Sequence, residues 1–231
     1  MTMTTSEQGS TSPSPLPQGE GEYGVLHLLT WLSPAFPTGA YAYSHGLEWA
    51  VEDGEVTNGD TLHAWLADVL MHGSGRNDAI LLRHAHRGGD PVALNEFAIA
   101  IAPSRERRTE TLDQGTAFVA AAAAWHPPQL PSRVAYPVAV GAMAGHYGID
   151  ENVTTAAFLQ AFAANLISAA VRLVPLGQTT GLRVLAALEP TIRHVTDLTR
   201  AATLDDVGGC AFRSDLTSMR HETQYTRLFR S

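Results

Sequence analysis

From Val25 to Arg200 the apolar residues return every third or fourth position, and that spacing constrains the fold more than any other feature. Val25, Leu28, Leu29 and Leu32 mark a first helix that stops at Pro34. His45 to Asp53 carries Leu47, Ala50 and Val51 inward, and Gly54 suits a left-handed helix end. Asp60 is read as the N-cap of a helix to about His72, with Leu62, Trp65, Leu66, Val69 and Leu70 as its apolar stripe. Gly73 to Gly75 interrupts, and a helix resumes over Asp78 to Arg87. Asp90-Pro91 is a cap followed by proline at the first helical position, opening a short helix to Ile101. Ser104 caps the next, which runs to Trp125 and stops at His126-Pro127-Pro128, and Pro137 opens another that ends near Gly148. Val153–Val174 and Leu182–Arg200 form a long pair hinged at Pro175-Leu176-Gly177. No alternating β-branched run and no fixed-period repeat interrupts this pattern. The expectation is an all-α protein, a single multi-helix domain over residues 23–231.

Residues 1–22 are Ser, Thr, Pro, Gly and Gln with few apolar side chains, and are expected to be a disordered leader, with neither the basic start nor the apolar stretch of a signal peptide. Net charge is -8, from 23 acids against 15 basic residues, which disfavours nucleic acid as a partner. Every basic residue is arginine. Without lysine there is no P-loop of the Walker type, no Schiff base and no Ser-Lys nucleophile. The single Cys210 excludes an internal disulfide and any Cys-x-x-Cys motif, which together with the missing export signal suits the cytoplasm. Val153–Val174 is apolar enough to mimic a membrane span, but Gln160, Asn165, Ser168 and Arg172 argue for a helix of a water-soluble core, so no membrane partner is expected.

The ten histidines do not fall at metal-binding spacings. His84 and His86 lie two apart, on different faces of a helix. The His221-Glu222 pair lacks the second histidine of a His-Glu-x-x-His motif, because Tyr225 stands there. Neither a metal site nor a cofactor is expected. Gly177–Gly181 is too short for a dinucleotide fingerprint and reads as a helix-to-helix turn. Ala157, Ala161, Ala164 and Ser168 make a stripe of small residues suited to close helix packing, within the chain or at a subunit interface. After a break at Gly208-Gly209 the chain closes with Arg227, Leu228, Phe229 and Arg230. These read as a docking tail on which few internal contacts depend, or as a frayed end.

Four motifs in register resemble the urease accessory protein UreF family. They are Ser33, Pro34, Pro37, Gly39, Tyr43, Ser44, Gly46, Leu47 and Glu48 at the start; Ser104-Arg105-Glu106 with Gly115 in the middle; Arg172 to Gln178 late; and His221-Glu222 with Arg227-Leu228-Phe229 and Ser231 at the close. Leu182 departs from the pattern, standing where the family often has glutamine. The resemblance implies a helical, non-enzymatic assembly factor that forms a homodimer, binds UreD (also called UreH), recruits the GTPase UreG and serves nickel insertion into apo-urease. It implies partner contacts at Tyr43, Ser44, Glu48, Arg172, Gln178, His221, Glu222, Arg227, Leu228, Phe229 and Arg230. Two rival readings are an acid/base pair of His45 and Glu48, and a GTPase activator inserting Arg172, Arg220 or Arg227. The Ser33–Ala50 stretch itself is expected to be a structured corner, with Tyr41 and Tyr43 both half-buried.

Overall fold

The computed structural model describes residues 20–231. The leader expectation lies outside the described residues except for its last three, which open the first helix, α1 (Glu20–Trp31). The described residues are helical throughout and contain no strand. A 3-10 turn at Ala40–Ala42 leads to α2 (Leu47–Glu52), α3 (Gly59–His72), α4 (Ser74–His86), α5 (Pro91–Ala100) and α6 (Arg105–Ala121). After another 3-10 turn come α7 (Tyr136–His146), α8 (Glu151–Leu173) and α9 (Gly177–Leu198), and then α10 (Phe212–His221).

The cap of α3 is Asn58 rather than Asp60. Its side chain accepts from the backbone N–H of Asp60 and Thr61, each at 3.0 Å, while Thr61 Oγ1 accepts the Asn58 N–H. Asn and Thr thus form a reciprocal capping box, and Asp60 falls in the first turn, where its charge suits the helix dipole. The Asp90 and Ser104 caps form as expected, accepting from Val92 and Arg107. Gly177–Gly181 is not a turn: it is the first turn of α9, which starts at the hinge itself. The departing residue Leu182 is exposed on that helix.

α4 is the hub, packed on α3, α5, α7 and α8, and α8 pairs lengthwise with α9. α7 approaches α4 closely, so that a Cβ on Gly141 or Gly145 would overlap the carbonyls of Leu82 and His86. Glycine at both positions is what lets the backbones meet. Fully buried Arg83 of α4 then ties three helices together. It donates to Thr199 Oγ1 at 3.1 Å, to the Thr196 carbonyl at 2.6 Å and to Asn152 at 3.0 Å, and pairs with Glu151.

The α8 stripe is different. Ala157, Ala161 and Ala164 are only half-buried, and with Leu28 and Leu29 of α1 and Leu32 just beyond it they line an open apolar groove. α8 is long and apolar enough to cross a membrane, but it buries Phe158, Leu159, Ala163, Leu166 and Ile167 in the core. His84 and His86 do point apart, toward the carbonyls of Ala202 and Ile149. α10 was not expected from apolar spacing. It turns Ser214, Thr217, Ser218 and His221 inward, a polar buried face that hydrophobic periodicity cannot reveal.

Candidate functional site

Gly39 bends the chain in the left-handed region, and Tyr43 is extended. His45 (φ 60) and Gly46 (φ 77) then adopt two successive left-handed conformations before α2. Gly46 is doubly constrained, because a Cβ there would meet the backbone of Ser218 on α10. His45 accepts a conformation that costs a non-glycine residue free energy, and its ring is thereby carried into the interior. Tyr43 is buried with its hydroxyl on Asp113 at 3.1 Å. Tyr41 is exposed rather than half-buried, its ring lying largely in solvent, while its carbonyl accepts from Arg172 at 2.8 Å.

α10 brings His221 against this corner. Its Nδ1 lies 2.6 Å from Glu106 and its Nε2 3.1 Å from Glu48, so one imidazole bridges two buried carboxylates. Arg227 reaches the other Glu106 oxygen at 2.7 Å. Glu222 accepts the Arg105 N–H at 2.8 Å, satisfying an unpaired donor in the first turn of α6, and Ser104 shares a 2.6 Å hydrogen bond with Ser218.

The closing segment is not a free tail. Glu48 accepts the backbone N–H groups of Leu228 (2.7 Å) and Phe229 (2.9 Å), and the Arg230 N–H donates to the Ala42 carbonyl at 2.8 Å. Ser44 donates its N–H to the Ser231 carbonyl at 2.7 Å and its hydroxyl to the same oxygen. Phe229 is 4% exposed, with the Arg172 guanidinium 4.3 Å above its ring. Half of the expected exposed Leu-Phe pair therefore stands: Leu228 is 65% exposed. Composition marked the segment as apolar and basic but could not show that Glu48 holds its backbone. The expectation that few internal contacts depend on it is overturned.

The predicted site residues thus converge, with one exception. Tyr43, Ser44, Glu48, Arg172, His221, Glu222, Arg227, Leu228, Phe229 and Arg230 all belong to this corner. Gln178 is exposed on the first turn of α9, and no hydrogen bond joins it to the others. The His45–Glu48 pair does not form. His45 lies outside α2, with Nδ1 3.5 Å from Glu110 and Nε2 2.5 Å from Ser74 Oγ, while Glu48 is engaged by His221 and the closing segment. Of the arginines weighed as inserted fingers, Arg172 stacks on Phe229, Arg227 pairs with Glu106, and Arg220 lies 3.8 Å from Asp53.

Sequence reasoning missed the second layer beneath the corner. Arg107 pairs with Glu110, which also accepts the Ser231 hydroxyl at 2.6 Å. The Arg107 Nε has no hydrogen-bond partner among the described residues. Two cavities of about 50 and 30 Å³ share Arg107 and Asp78 in their walls. They suit water-sized molecules and fall far below the several hundred Å³ of ordinary ligand pockets. Burial pushes the Asp78 carboxyl up to about 7, against the opposing pull of Arg107, and pushes His45 down to about 4. Glu110 is held well below the usual carboxylate range, because Arg107 and His45 overcome its burial. Glu106 and Glu110 are one helical turn apart in Ser104-Arg105-Glu106-Arg107-Arg108-Thr109-Glu110, a signal that was available in the sequence. Among the described residues, no group of three His, Cys, Asp or Glu side chains is arranged to hold a metal ion.

Comparison with known proteins decides the family. The UreF family model matches residues 56–189. A urease accessory protein UreF of Cereibacter sphaeroides is 54% identical over 207 residues, covering 90% of this chain and 98% of its own. The chain belongs to the UreF family. A UreF of Xanthobacter autotrophicus is 51% identical over 228 residues (93% and 94% of the two chains), and one of a Bradyrhizobium species 48% identical over 243 (99% and 100%). The relatives are named accessory proteins of urease, and the family assignment drawn from the four motifs holds over nearly the whole chain.

Proposed function

We propose that this UreF protein acts as a non-catalytic scaffold in the maturation of urease, in the cytoplasm and as a homodimer. It binds the UreD/UreH accessory protein and recruits UreG, and the assembly delivers nickel to apo-urease while UreG hydrolyses GTP. The observation that carries this reading is the gathering of nine family-signature side chains, with Arg230, from the Tyr43–Glu48 corner, α8, the end of α10 and the closing segment into one cluster. The lysine-free sequence supports assigning nucleotide hydrolysis to the partner. The open α1–α8 groove around Ala161 supports the second copy's docking there.

Co-purification of the tag-free protein with UreD and UreG, with the stoichiometry measured, tests the reading. A ternary complex that is lost on mutating Tyr43 or Arg230 is expected. Stable partners bound equally by both variants would remove the corner from the interface. GTP turnover by UreG with and without the protein separates a scaffold from an activator.

A further inference from the structure

The closing segment is bound the way a foreign peptide is bound. Four of its contacts are main-chain: Leu228 and Phe229 N–H on Glu48, Arg230 N–H on the Ala42 carbonyl, and the Ser231 carbonyl on Ser44. Side chains alternate along it, Leu228 and Arg230 outward, Phe229 and Ser231 inward. The segment bends at Leu228 and Phe229 to place both N–H groups on Glu48; a peptide held so takes affinity from its backbone bonds and specificity from the places its side chains occupy. The pockets here are distinct: Phe229 lies under Arg172, the Ser231 hydroxyl on Glu110, and Arg227 on Glu106. The joint that delivers the segment is open, with Tyr225 fully exposed and Thr226 exposed. Glu48 is 7% exposed. Should the segment leave, Glu48 would exchange two N–H donors for water, and an occupant that restores both N–H groups fits the vacated carboxylate.

We propose that the groove between the Ala42–Glu48 corner, α6 and α8 is a peptide-binding site, filled in cis by residues 227–231. Its trans ligand is a segment of another protein, of the form Arg-x-Phe-x-Ser, bent at the aromatic residue so that two successive N–H groups meet one carboxylate. Proline is excluded at the aromatic position and the one before it, because both N–H groups are needed by Glu48. The basic residue two positions before the aromatic answers Glu106, and the small hydroxyl residue two positions after it answers Glu110. The site does not depend on which accessory protein supplies that segment. The cis segment competes at an effective concentration of roughly millimolar, so a trans ligand must exceed it or meet it already displaced.

The test uses the full-length chain carrying Phe229→Ala, whose own segment lacks its pocket side chain, and a fluorescent peptide of residues 226–231. Anisotropy should show saturable binding to this variant and at least about tenfold weaker binding to the unmodified chain. A Phe229→Ala peptide, and a Leu228→Pro peptide that lacks one N–H, should each bind the variant roughly tenfold or more weakly. No saturation up to about millimolar peptide, or equal binding of all three peptides, overturns the proposal. A concentration-dependent dimer of the unmodified chain that the peptide dissolves would make the occupant a second copy, and overturns it in this form. Should the variant not fold, the unmodified chain is irradiated with a peptide carrying benzophenone at the Phe229 position. Crosslinks to residues 40–48 or to Arg172 support the site, and crosslinks elsewhere or none count against it.

Discussion

Two buried polar nodes hold this molecule, and they are built oppositely. At Arg83 a single cation sits at the centre of α4, α8 and α9. Its acceptors are a carbonyl, a hydroxyl, an amide and one carboxylate, on α8, on α9 and on Thr199, which ends α9. At Glu48 and His221 carboxylates sit at the centre, and many of their donors come from the last helix and the segment beyond it. The first node cannot open without separating core helices. Opening the second would require moving only the end of α10 and the few residues beyond it. Buried charge serves as a fixed clasp in one place and as a releasable one in the other.

The largest effect should come from breaking the fixed clasp. Arg83→Ala removes the buried donors of the Thr196 carbonyl, the Thr199 hydroxyl and Asn152, leaves Glu151 with Arg87 alone and opens a cavity, together costing about 3–5 kcal/mol. Denaturant unfolding should show this loss as a single cooperative shift across the whole chain. A loss confined to local exchange near α9 would make Arg83 a surface tie.

Glu48→Gln strikes the releasable clasp at constant volume. Whichever way the amide turns, its NH₂ faces a donor, the N–H of Leu228, the N–H of Phe229 or His221. A cost of about 1–3 kcal/mol follows. Hydrogen exchange at the Leu228 and Phe229 amides should accelerate far more than exchange in α4. Uniform acceleration would mean that the two nodes unfold together.

Glu222→Ala should cost less, about 0.5–2 kcal/mol, the usual range for a lost helix cap. It removes the acceptor of the Arg105 N–H, while Ser104 still caps Arg107. Its partly exposed ion pair with Arg105 adds little. A thermal melt reads the change, and a shift as large as that of Arg83→Ala would show that α10 is part of the main core.

The same contrast explains what could be read from sequence. The helices around the Arg83 clasp are long and apolar, and their spacing and caps were legible at Asp90, Ser104 and the Pro175 hinge. The releasable clasp was legible only in pieces. Glu48, His221 and Arg227 belonged to motifs, but their meeting depends on α10, whose inward face is Ser214, Thr217, Ser218 and His221. Periodicity of apolar residues cannot register a helix that buries hydroxyls. Gly141 and Gly145 were equally silent, while Ala157, Ala161 and Ala164 of the more conspicuous stripe face an open groove. A stripe of small residues names a surface that permits close approach, and only packing shows which stripe is used.

The smallest net effect is expected from pH, because two groups beneath the releasable clasp oppose one another. Folding raises the Asp78 carboxyl from its ordinary 3.8 to about 7, so the folded chain holds a proton that the unfolded chain has lost. Stability from this source is full at low pH and declines as pH rises toward 7. Folding lowers His45 from 6.5 to about 4, so there the unfolded chain holds the extra proton. Stability from His45 is therefore lost as pH falls from 6.5 toward 4. Between about pH 5 and 6 the two slopes cancel, and above 6.5 the Asp78 decline remains alone. Asp215, raised by its burial, adds to the Asp78 side, so the unmodified chain should show no net rise across this window. Asp78→Asn removes the larger part of that side and should expose a clear rise in stability from about pH 5 to 6.5. His45→Asn should leave a decline over the same range. Urea midpoints at half-unit pH steps check all three chains, and a profile that Asp78→Asn leaves flat would show that no opposing pair exists beneath the corner.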